Sequence, residues 1–294
     1  MKSGFVSLIG RPNAGKSTLL NRLVTTKLAI VSDKPQTTRN RILGVRNYPD
    51  AQVVFLDTPG IHRPLHRMNV RMVDAAVDTI SEVDVVCLVV DATEPLGKGD
   101  KFVLNLLKDV KAPAFLVLNK IDLIKKVRLL PLMQQYGDQG IFAEIVPVSA
   151  GTGDNVERLE RAIIDRLPEG EPLYPADYLT DQPERFFASE IVREKLLQLT
   201  HAEIPFSSAV LIDRFEEPEG EKGLLKLHCT IVVERESQKP IVIGRGGDMI
   251  KRIGTAARED LETFFGTRVF LDLHVRVKSE WREDDAILND IGLK

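Results

Sequence analysis

Residues 10–17 read Gly10-Arg11-Pro12-Asn13-Ala14-Gly15-Lys16-Ser17, which matches the phosphate-binding loop pattern G-x-x-x-x-G-K-S/T at every fixed position. Before this P-loop, an apolar run over residues 5–9 predicts a buried strand, and after it residues 16–25 have a helical pattern. Such a junction aims backbone N–H groups and the positive end of a helix dipole at one point, which suits a polyphosphate. We expect Lys16 to reach the β- and γ-phosphates and the Ser17 hydroxyl to ligate Mg²⁺. A chance glycine-rich turn is the plain alternative.

Two further motifs follow apolar strands and indicate the metal and the base. Asp57-Thr58-Pro59-Gly60 comes directly after residues 53–56, where an Asp beside the P-loop can hold Mg²⁺ and Gly60 lets the backbone approach the γ-phosphate. Asn119-Lys120-Ile121-Asp122 follows the apolar residues 114–118 and resembles the guanine motif NKxD of GTPases. The Asp122 carboxylate can accept hydrogen bonds from both N1–H and the 2-amino group of guanine, whereas adenine offers no such pair of donors.

Two weaker signals complete the predicted site. Ser149-Ala150 follows an apolar run and resembles the motif that closes over the guanine O6. Residues 35–39, Pro-Gln-Thr-Thr-Arg, occupy the place of switch I, whose Thr completes the Mg²⁺ shell; we favour Thr38 as this ligand and keep Thr37 as the alternative. The predicted nucleotide contacts are Gly10, Arg11, Pro12, Asn13, Ala14, Gly15, Lys16, Ser17, Thr18, Asp57, Thr58, Pro59, Gly60, Ile61, Asn119, Lys120, Ile121, Asp122, Ser149 and Ala150.

The hydrolytic step lacks one common residue. Ras-like enzymes orient the attacking water with a Gln just after the DxxG glycine, and Ile61 stands there in this chain. We therefore expect slow unaided hydrolysis, with Lys16, Thr38 and Gly60 acting on the reacting phosphate. Asn13 suggests a K⁺ ion as a substitute for an arginine finger. The alternative, held open here, is that Asn13 only shapes the loop.

Composition narrows the class of protein. The chain has 294 residues and a formal net charge of −3, so charge alone does not favour a nucleic-acid ligand. Cys87 and Cys229 lie far apart in the sequence and are expected to be reduced thiols of a cytoplasmic protein. No apolar run reaches the ~20 residues of a membrane span, and we expect no targeting segment before the first strand. His62 and His66 are interpreted as polar loop residues and not as metal ligands.

Alternating strands and helices predict an α/β domain over residues 1–167, with a mostly parallel sheet and helices on both faces. The sequence predicts a hairpin between residues 41–48 and 51–57, so one edge of the sheet is expected to be antiparallel. The other predicted strands are 5–10, 85–91, 114–119 and 143–148, and the predicted helices are 16–25, 68–81, 98–109, 126–137 and 154–167.

Residues 168–184 begin with a Pro- and Gly-rich run that cannot continue a helix, and they are interpreted as a linker or hinge. Residues 185–294 predict a smaller α+β domain in the order α-β-β-α-α-β, with strands near 206–215, 224–234 and 269–278. This is the arrangement of a type II KH domain. Its GxxG loop would be Gly244-Arg245-Gly246-Gly247, followed by Lys251, Arg252 and Arg258 on the next helix, all candidate RNA contacts.

The plain alternative for this loop is a structural turn between two helices. Charge supports the alternative, because residues 184–294 carry 21 acidic and only 17 basic side chains. Residues 240–278 carry seven basic and five acidic side chains, closer to the expectation for an RNA-binding surface. We keep RNA binding as the favoured interpretation, because KH domains also bind through base stacking and base edges.

Taken together, the stretch GRPNAGKST, the segment PQTTR at 35–39 and a GTPase-like domain followed by a KH-like domain resemble the Era family of bacterial GTPases over essentially the whole chain. Residues 190–195, EIVREK, and 277–281, VKSEW, resemble the family too, although the family often has Gly at the place of Glu280. The resemblance implies that the protein binds GTP and GDP, hydrolyses GTP with Mg²⁺ and binds the 3′ end of 16S rRNA. It also implies a role in maturation of the 30S ribosomal subunit and some peripheral contact with the inner face of the membrane.

We therefore expect a GTP-dependent switch, and most naturally a monomer, since nothing in the sequence demands a dimer. The first rival is a GTPase whose C-terminal domain binds protein. The second is a membrane-peripheral regulator, for which no strongly basic helix face with large apolar anchors stands out in the sequence.

Overall fold

The computed structural model describes residues 1–61, 66–218, 220 and 223–293. Within these residues the chain divides into two compact units. The first comprises residues 1–61 and 69–181, and the second comprises residues 66–68 and 182–293.

The first unit contains a six-stranded sheet in the order β2-β3-β1-β4-β5-β6. All neighbouring strands are parallel except β2 and β3, which form the expected antiparallel pair. The strands are β1 (Lys2–Ile9), β2 (Ile42–Asn47), β3 (Ala51–Asp57), β4 (Val85–Asp91), β5 (Ala114–Asn119) and β6 (Phe142–Pro147). The helices are α1 (Lys16–Val24), α2 (Arg67–Ser81), α3 (Lys98–Leu107), α4 (Leu129–Gly137) and α5 (Val156–Arg166).

The central strands are buried along nearly their whole length, because helices cover the sheet on both faces. The prediction of a mostly parallel α/β domain is confirmed. Cys87 lies on β4 in this core as a free thiol, and burial raises its pKa to about 12, so it is an inert packing residue.

One helix begins later than the sequence pattern predicted. Residues 126–128 form a 3₁₀ turn and α4 starts at Leu129, not at 126. Pro131 explains the shift: a proline has no N–H to donate, so it is tolerated in the first turn of a helix and not further in.

The segment 168–181 is part of the first unit and is hydrogen-bonded to its sheet. Gln52 on β3 is fully buried, and its Oε1 accepts hydrogen bonds from the backbone N–H groups of Leu173 (2.7 Å) and Tyr174 (2.9 Å). The Gln52 amide donates to the Tyr174 carbonyl at 2.9 Å, and the Val45 N–H on β2 donates to the Leu179 carbonyl at 2.8 Å. These bonds attach the start of the sequence-defined linker to strands β2 and β3.

The second unit contains a three-stranded sheet in the order β7-β8-β9, in which β7 and β8 are antiparallel and β8 and β9 are parallel. Its strands are β7 (Ser208–Glu216), β8 (Leu225–Val233) and β9 (Val269–Val277). Its helices are α6 (Glu184–Leu199), α7 (Ile204–Ser207), α8 (Lys239–Ile243), α9 (Asp248–Phe265) and α10 (Asp285–Asp290).

The predicted α-β-β-α-α-β order is present, with the short helices α7 and α10 added. Helix α7 occupies the start of the strand predicted over 206–215, and Pro205 lies in its first turn, where a proline is favoured. The core lies between the sheet and helices α6, α8 and α9, and it contains the buried free thiol of Cys229. Among the described residues, no helix is long and apolar enough to cross a membrane.

Candidate nucleotide-binding site

The P-loop joins the end of β1 to the start of α1, and two of its glycines leave no room for a side chain. Gly10 has φ +145°, and a Cβ there would lie 2.2 Å from the Val89 carbonyl oxygen. Gly15 has φ +92°, and its Cβ would lie 2.2 Å from Nδ2 of Asn119. Glycine is therefore required at both positions by conformation and by space.

The Lys16 ammonium is held against the backbone of the same loop. Its Nζ donates to the carbonyl oxygens of Gly10 (3.2 Å) and Arg11 (3.0 Å), and the side chain is almost fully buried. Burial lowers the pKa of Lys16 to about 8, against the opposing attraction of the Asp57 carboxylate. Burial removes the hydration that stabilises the charged form of Lys16, and a nearby negative charge would stabilise that form again. This position therefore favours an anionic ligand.

Three side-chain oxygens from three separate segments converge beside this lysine. The Ser17 hydroxyl lies 2.6 Å from the Thr38 hydroxyl and 2.7 Å from Oδ2 of Asp57. Asp57 is completely buried, and its Oδ1 accepts no hydrogen bond from the described residues. Burial raises the pKa of Asp57 to about 6, although the Lys16 ammonium and hydrogen bonds from Ser17 and Thr38 lower it.

This oxygen cluster fits a Mg²⁺ ion. Magnesium prefers carboxylate and hydroxyl oxygens, and the carboxylate oxygen of Asp57 that lacks a partner offers a further lone pair. The hydroxyl of the neighbouring Thr37 instead donates to the Lys34 carbonyl at 2.5 Å. The geometry thus favours Thr38 over Thr37 as the switch threonine.

A cavity of about 400 Å³ opens at this cluster. It is large enough for the phosphates and sugar of a nucleotide. Its lining comes from the P-loop, the start of α1, the segment 30–38, Gly60 and three residues at or just beyond the ends of β4 and β5. These residues are Pro12, Asn13, Gly15, Lys16, Ser17, Thr18, Ile30, Val31, Ser32, Asp33, Gln36, Thr37, Thr38, Gly60, Asp91, Glu94 and Lys120.

Asn119 holds two predicted nucleotide loops together. Its Nδ2 donates to the Ala14 carbonyl at 2.9 Å, and its Oδ1 accepts from the Ala150 N–H at 2.9 Å. The P-loop and the segment Ser149-Ala150 are therefore linked through one buried amide. Asp122 is exposed at the start of the following turn, where its carboxylate is accessible to a base.

Several residues that were predicted as nucleotide contacts have side chains that contact other protein groups. The Arg11 guanidinium pairs with Asp100 at 3.1 Å and Glu94 at 3.2 Å, and it does not line the main cavity. The Thr58 hydroxyl donates to the Leu8 carbonyl at 2.9 Å. Ile61 is buried in the core, and its N–H donates to the Gly10 carbonyl at 3.0 Å.

The Asn13 side chain contacts the segment that contains the switch threonine, since its Nδ2 donates to the Asp33 carbonyl at 2.6 Å. Its φ of +63° is left-handed, which an asparagine tolerates better than most residues. Of the two histidines interpreted as non-ligands, His62 lies outside the described residues. Among the residues that the structure describes, no group of three His, Cys, Asp or Glu side chains is arranged to hold a metal ion.

Asp91 and Glu94, at and just after the end of β4, line the cavity and were not predicted from the sequence. The signal was available, since β4 neighbours β1 in the sheet and ligands bind beyond the carboxyl ends of parallel strands. The motifs at 57–60 and 119–122 were recognised by their patterns, whereas a lone Asp at a strand end has no such pattern.

In the second unit, the loop 244–247 lies between α8 and α9, and a ligand can approach its backbone closely. Gly244, Gly246 and Gly247 all have positive φ, and a Cβ on Gly246 or Gly247 would meet nothing within 4 Å. Arg245 is exposed, and so are the three basic side chains on α9, Lys251, Arg252 and Arg258. This loop therefore presents open backbone beside accessible cations.

The parallel sheet, the P-loop and the guanine motif define a P-loop GTPase, and the second unit has the fold of a KH domain. Comparison with family models agrees: a model described as 50S ribosome-binding GTPase matches residues 5–120, and a KH domain model matches residues 203–282.

Individual relatives match the whole chain. GTPase Era of Geobacter sp. (strain M21) is 52% identical over 291 residues, which cover 99% of this chain and 97% of the relative. A crystal structure of Era in complex with MgGDPNP and nucleotides 1506–1542 of 16S ribosomal RNA superimposes with a TM-score of 0.95 at 42% identity. It covers 100% of this chain and 99% of its own. A variant of Aquifex aeolicus Era bound to GDP·AlF₄⁻ superimposes with a TM-score of 0.94 at 42% identity, with the same coverage.

The chain therefore belongs to the Era family of GTPases. Its reaction is the hydrolysis of GTP to GDP and phosphate.

Proposed function

We propose that the protein is a GTP-dependent switch that binds the 3′ end of 16S rRNA through its KH domain and acts in assembly of the 30S ribosomal subunit. The observation that carries this proposal is the docking of Thr38 against Ser17 and Asp57 at the P-loop. Because Thr38 contributes to the proposed metal site, we expect the order of the segment 35–39 to depend on the bound nucleotide.

In this site Ser17, Thr38 and Asp57 would hold Mg²⁺, which supplies positive charge for the β- and γ-phosphates. Lys16 binds the same phosphates with its desolvated ammonium, and Gly60 brings a backbone N–H to the γ-phosphate. A Cβ on Gly60 would lie 2.7 Å from the Pro12 nitrogen, so only glycine fits between the two loops.

Guanine recognition belongs to the loops after β5 and β6. Asp122 accepts hydrogen bonds from the base edge, while Asn119 keeps the segment Ser149-Ala150 in place for the O6 side.

The phosphate contact of Lys16 is tested by substitution. A Lys16→Ala variant that bound GTP as the wild type does would contradict the role assigned to Lys16.

Hydrolysis is expected to be slow without help, because the Ile61 side chain is buried in the core and cannot orient a water molecule. We propose that K⁺ bound with the help of Asn13 assists the reaction. A hydrolysis rate that does not depend on K⁺ would contradict this proposal.

RNA binding is supported by the open loop at Gly244–Gly247 and by the exposed Arg245 beside it. It is also supported by the 42% identical Era whose crystal structure contains a 16S ribosomal RNA fragment. Arg245 can pair with a phosphate, and the glycines let the RNA backbone approach.

The segment after the first domain offers a route from the nucleotide to the KH domain. Strand β2 begins four residues after Thr38, and its Val45 N–H donates to the carbonyl of Leu179. Because an ordered switch segment constrains the start of β2, nucleotide state can affect the chain that leads into the second unit. By reciprocity, RNA that prefers the GTP state must tighten GTP binding.

The deciding experiment measures RNA binding to the full-length protein with a GTP analogue, with GDP and without nucleotide. The RNA is a 16S 3′-end oligonucleotide, and a scrambled sequence is the control. Sequence-dependent binding favoured by the GTP state supports the switch. Binding that ignores nucleotide removes the coupling, and absence of binding in every state favours a GTPase whose second domain binds protein.

We also propose a cytoplasmic monomer. A peripheral contact with the inner face of the membrane is implied by the family resemblance, and sedimentation with lipid vesicles tests it directly. Light scattering at micromolar concentration tests the monomer.

A further inference from the structure

Lys120, in the guanine motif, is held in a conformation that few lysines adopt. Its φ is +66°, in the left-handed region that disfavours residues with a side chain. Its stem passes over the P-loop, because its Cε lies 4.0 Å from the place where a Cβ on Gly15 would stand. Lys120 also lines the cavity, so its aliphatic stem forms part of the wall beside the base loops.

The ammonium of Lys120 is fixed by Asp91, at the end of the neighbouring strand β4. Its Nζ lies 2.6 Å from Oδ2 of Asp91, and the side chains of Lys120 and Asp91 are 31% and 14% exposed. The other carboxylate oxygen, Oδ1, accepts from the backbone N–H of Thr93 at 2.8 Å and from its hydroxyl at 2.6 Å. The carboxylate is thus oriented by its own loop.

The backbone also places these two residues side by side. Asp91 pairs with Asn119 in the register of β4 and β5, and the Ala92 N–H donates to the Asn119 carbonyl at 2.9 Å. The register of two neighbouring strands therefore sets the separation between the backbones of Asp91 and Lys120.

We propose that Asp91 is a positioning residue for guanine nucleotides, which acts by holding Lys120 extended along the P-loop and by balancing its charge beside the base. The inference rests on the nucleotide site proposed above. A lysine stem has many rotamers, so a fixed partner for its ammonium organises the site before the nucleotide arrives.

The inference predicts a characteristic pattern of loss. Asp91 acts on the base side of the nucleotide and has no role at the γ-phosphate. Replacing it should therefore weaken GTP and GDP binding by the same factor, roughly tenfold, mainly through faster dissociation. The turnover rate at saturating GTP should stay unchanged, because the cluster of Ser17, Thr38 and Asp57 is untouched.

The test uses Asp91→Asn in the full-length protein, because the amide oxygen can still accept from Thr93 while the negative charge is lost. Dissociation constants and release rates are measured with fluorescent GDP and a fluorescent GTP analogue. The matched control is Asp84→Asn, just before β4, where Oδ2 of Asp84 accepts from the Phe5 N–H at 2.8 Å. The control should bind both nucleotides as the wild type does.

A double-mutant cycle separates positioning from a general structural role. Lys120→Met keeps an aliphatic stem and removes the ammonium, so adding Asp91→Asn to it should cause no further loss of affinity. Full additivity of the two losses, or equal wild-type and Asp91→Asn affinities, would overturn the inference. Failure of the wild type to bind guanine nucleotides would instead overturn the proposed function.

Discussion

The hydroxyl oxygen of Thr38 lies 2.6 Å from that of Ser17, although the two residues are 21 positions apart in the chain. Both hydroxyls lie beside the buried carboxylate of Asp57. Thr38, from the segment before β2, therefore contacts the first turn of α1 at a site suited to a cation. The segment before β2 is therefore arranged to respond to what occupies the P-loop.

Thr38→Ala should reduce Mg²⁺-dependent GTP hydrolysis by roughly 10- to 100-fold, because one oxygen ligand and its contact with Ser17 are lost. Single-turnover hydrolysis measured over a range of Mg²⁺ concentrations checks this. Thr37→Ala is the matched comparison and should have the smaller effect, since the Thr37 hydroxyl bonds to the Lys34 carbonyl. A larger loss with Thr37→Ala would reverse the assignment.

Asp57→Asn should stabilise the nucleotide-free protein at pH 7.5 and abolish its stabilisation by Mg²⁺. Burial raises the pKa of Asp57 to about 6 in the folded protein, above the ordinary value of 3.8. The contribution of this carboxyl to stability is therefore present below pH 3.8 and is lost as the pH rises through about 6. Above that pH the ionised, buried carboxylate is a cost of about 1–3 kcal/mol, which an asparagine avoids.

Chemical unfolding from pH 4 to pH 8 measures this effect. The free energy of unfolding of the wild type should fall relative to that of Asp57→Asn between pH 4 and pH 6.5. Parallel curves for the two proteins would show that Asp57 titrates alike in the folded and unfolded states.

Arg245→Gln should weaken binding of the 16S 3′-end oligonucleotide by roughly three- to tenfold and reduce the salt dependence of binding by about one unit of slope. Arg245 is exposed, so the melting temperature should not change. Arg214→Gln, an exposed arginine on β7 of the same domain, is the control. Equal losses from the two variants would indicate a general charge effect and not a contact at the GxxG loop.

Gln52→Ala should lower the free energy of unfolding by about 2–4 kcal/mol, because a fully buried amide that bonds to Leu173 and Tyr174 is removed. Urea unfolding measures this loss, with the exposed Gln134→Ala on α4 as the control. If the segment 173–179 transmits nucleotide state, the GTP preference of RNA binding should shrink in Gln52→Ala. A stability loss without that change would confine Gln52 to a structural role.

The strands of the first domain could be predicted closely because most are apolar runs, and some of these end at a recognisable motif, as β3 does at Asp57 and β5 at Asn119. The starts of helices were harder to predict from the sequence. Helix α4 begins at Leu129 because Pro131 must lie in a first turn, a constraint that the apolar periodicity over 126–137 does not contain.

The sequence alone determined the class of ligand, the base and the loop that meets the phosphates. Each of these depends on a few consecutive residues whose backbone geometry is local, as in Gly10–Ser17 and Asn119–Asp122. Only the tertiary structure placed the Thr38 hydroxyl beside that of Ser17, joined Asp91 to Lys120 and attached Tyr174 to Gln52. These contacts link residues 21 to 122 positions apart. A hydrogen bond needs its two atoms within about 3 Å, and for distant residues that distance follows from strand register and packing, which no local pattern contains.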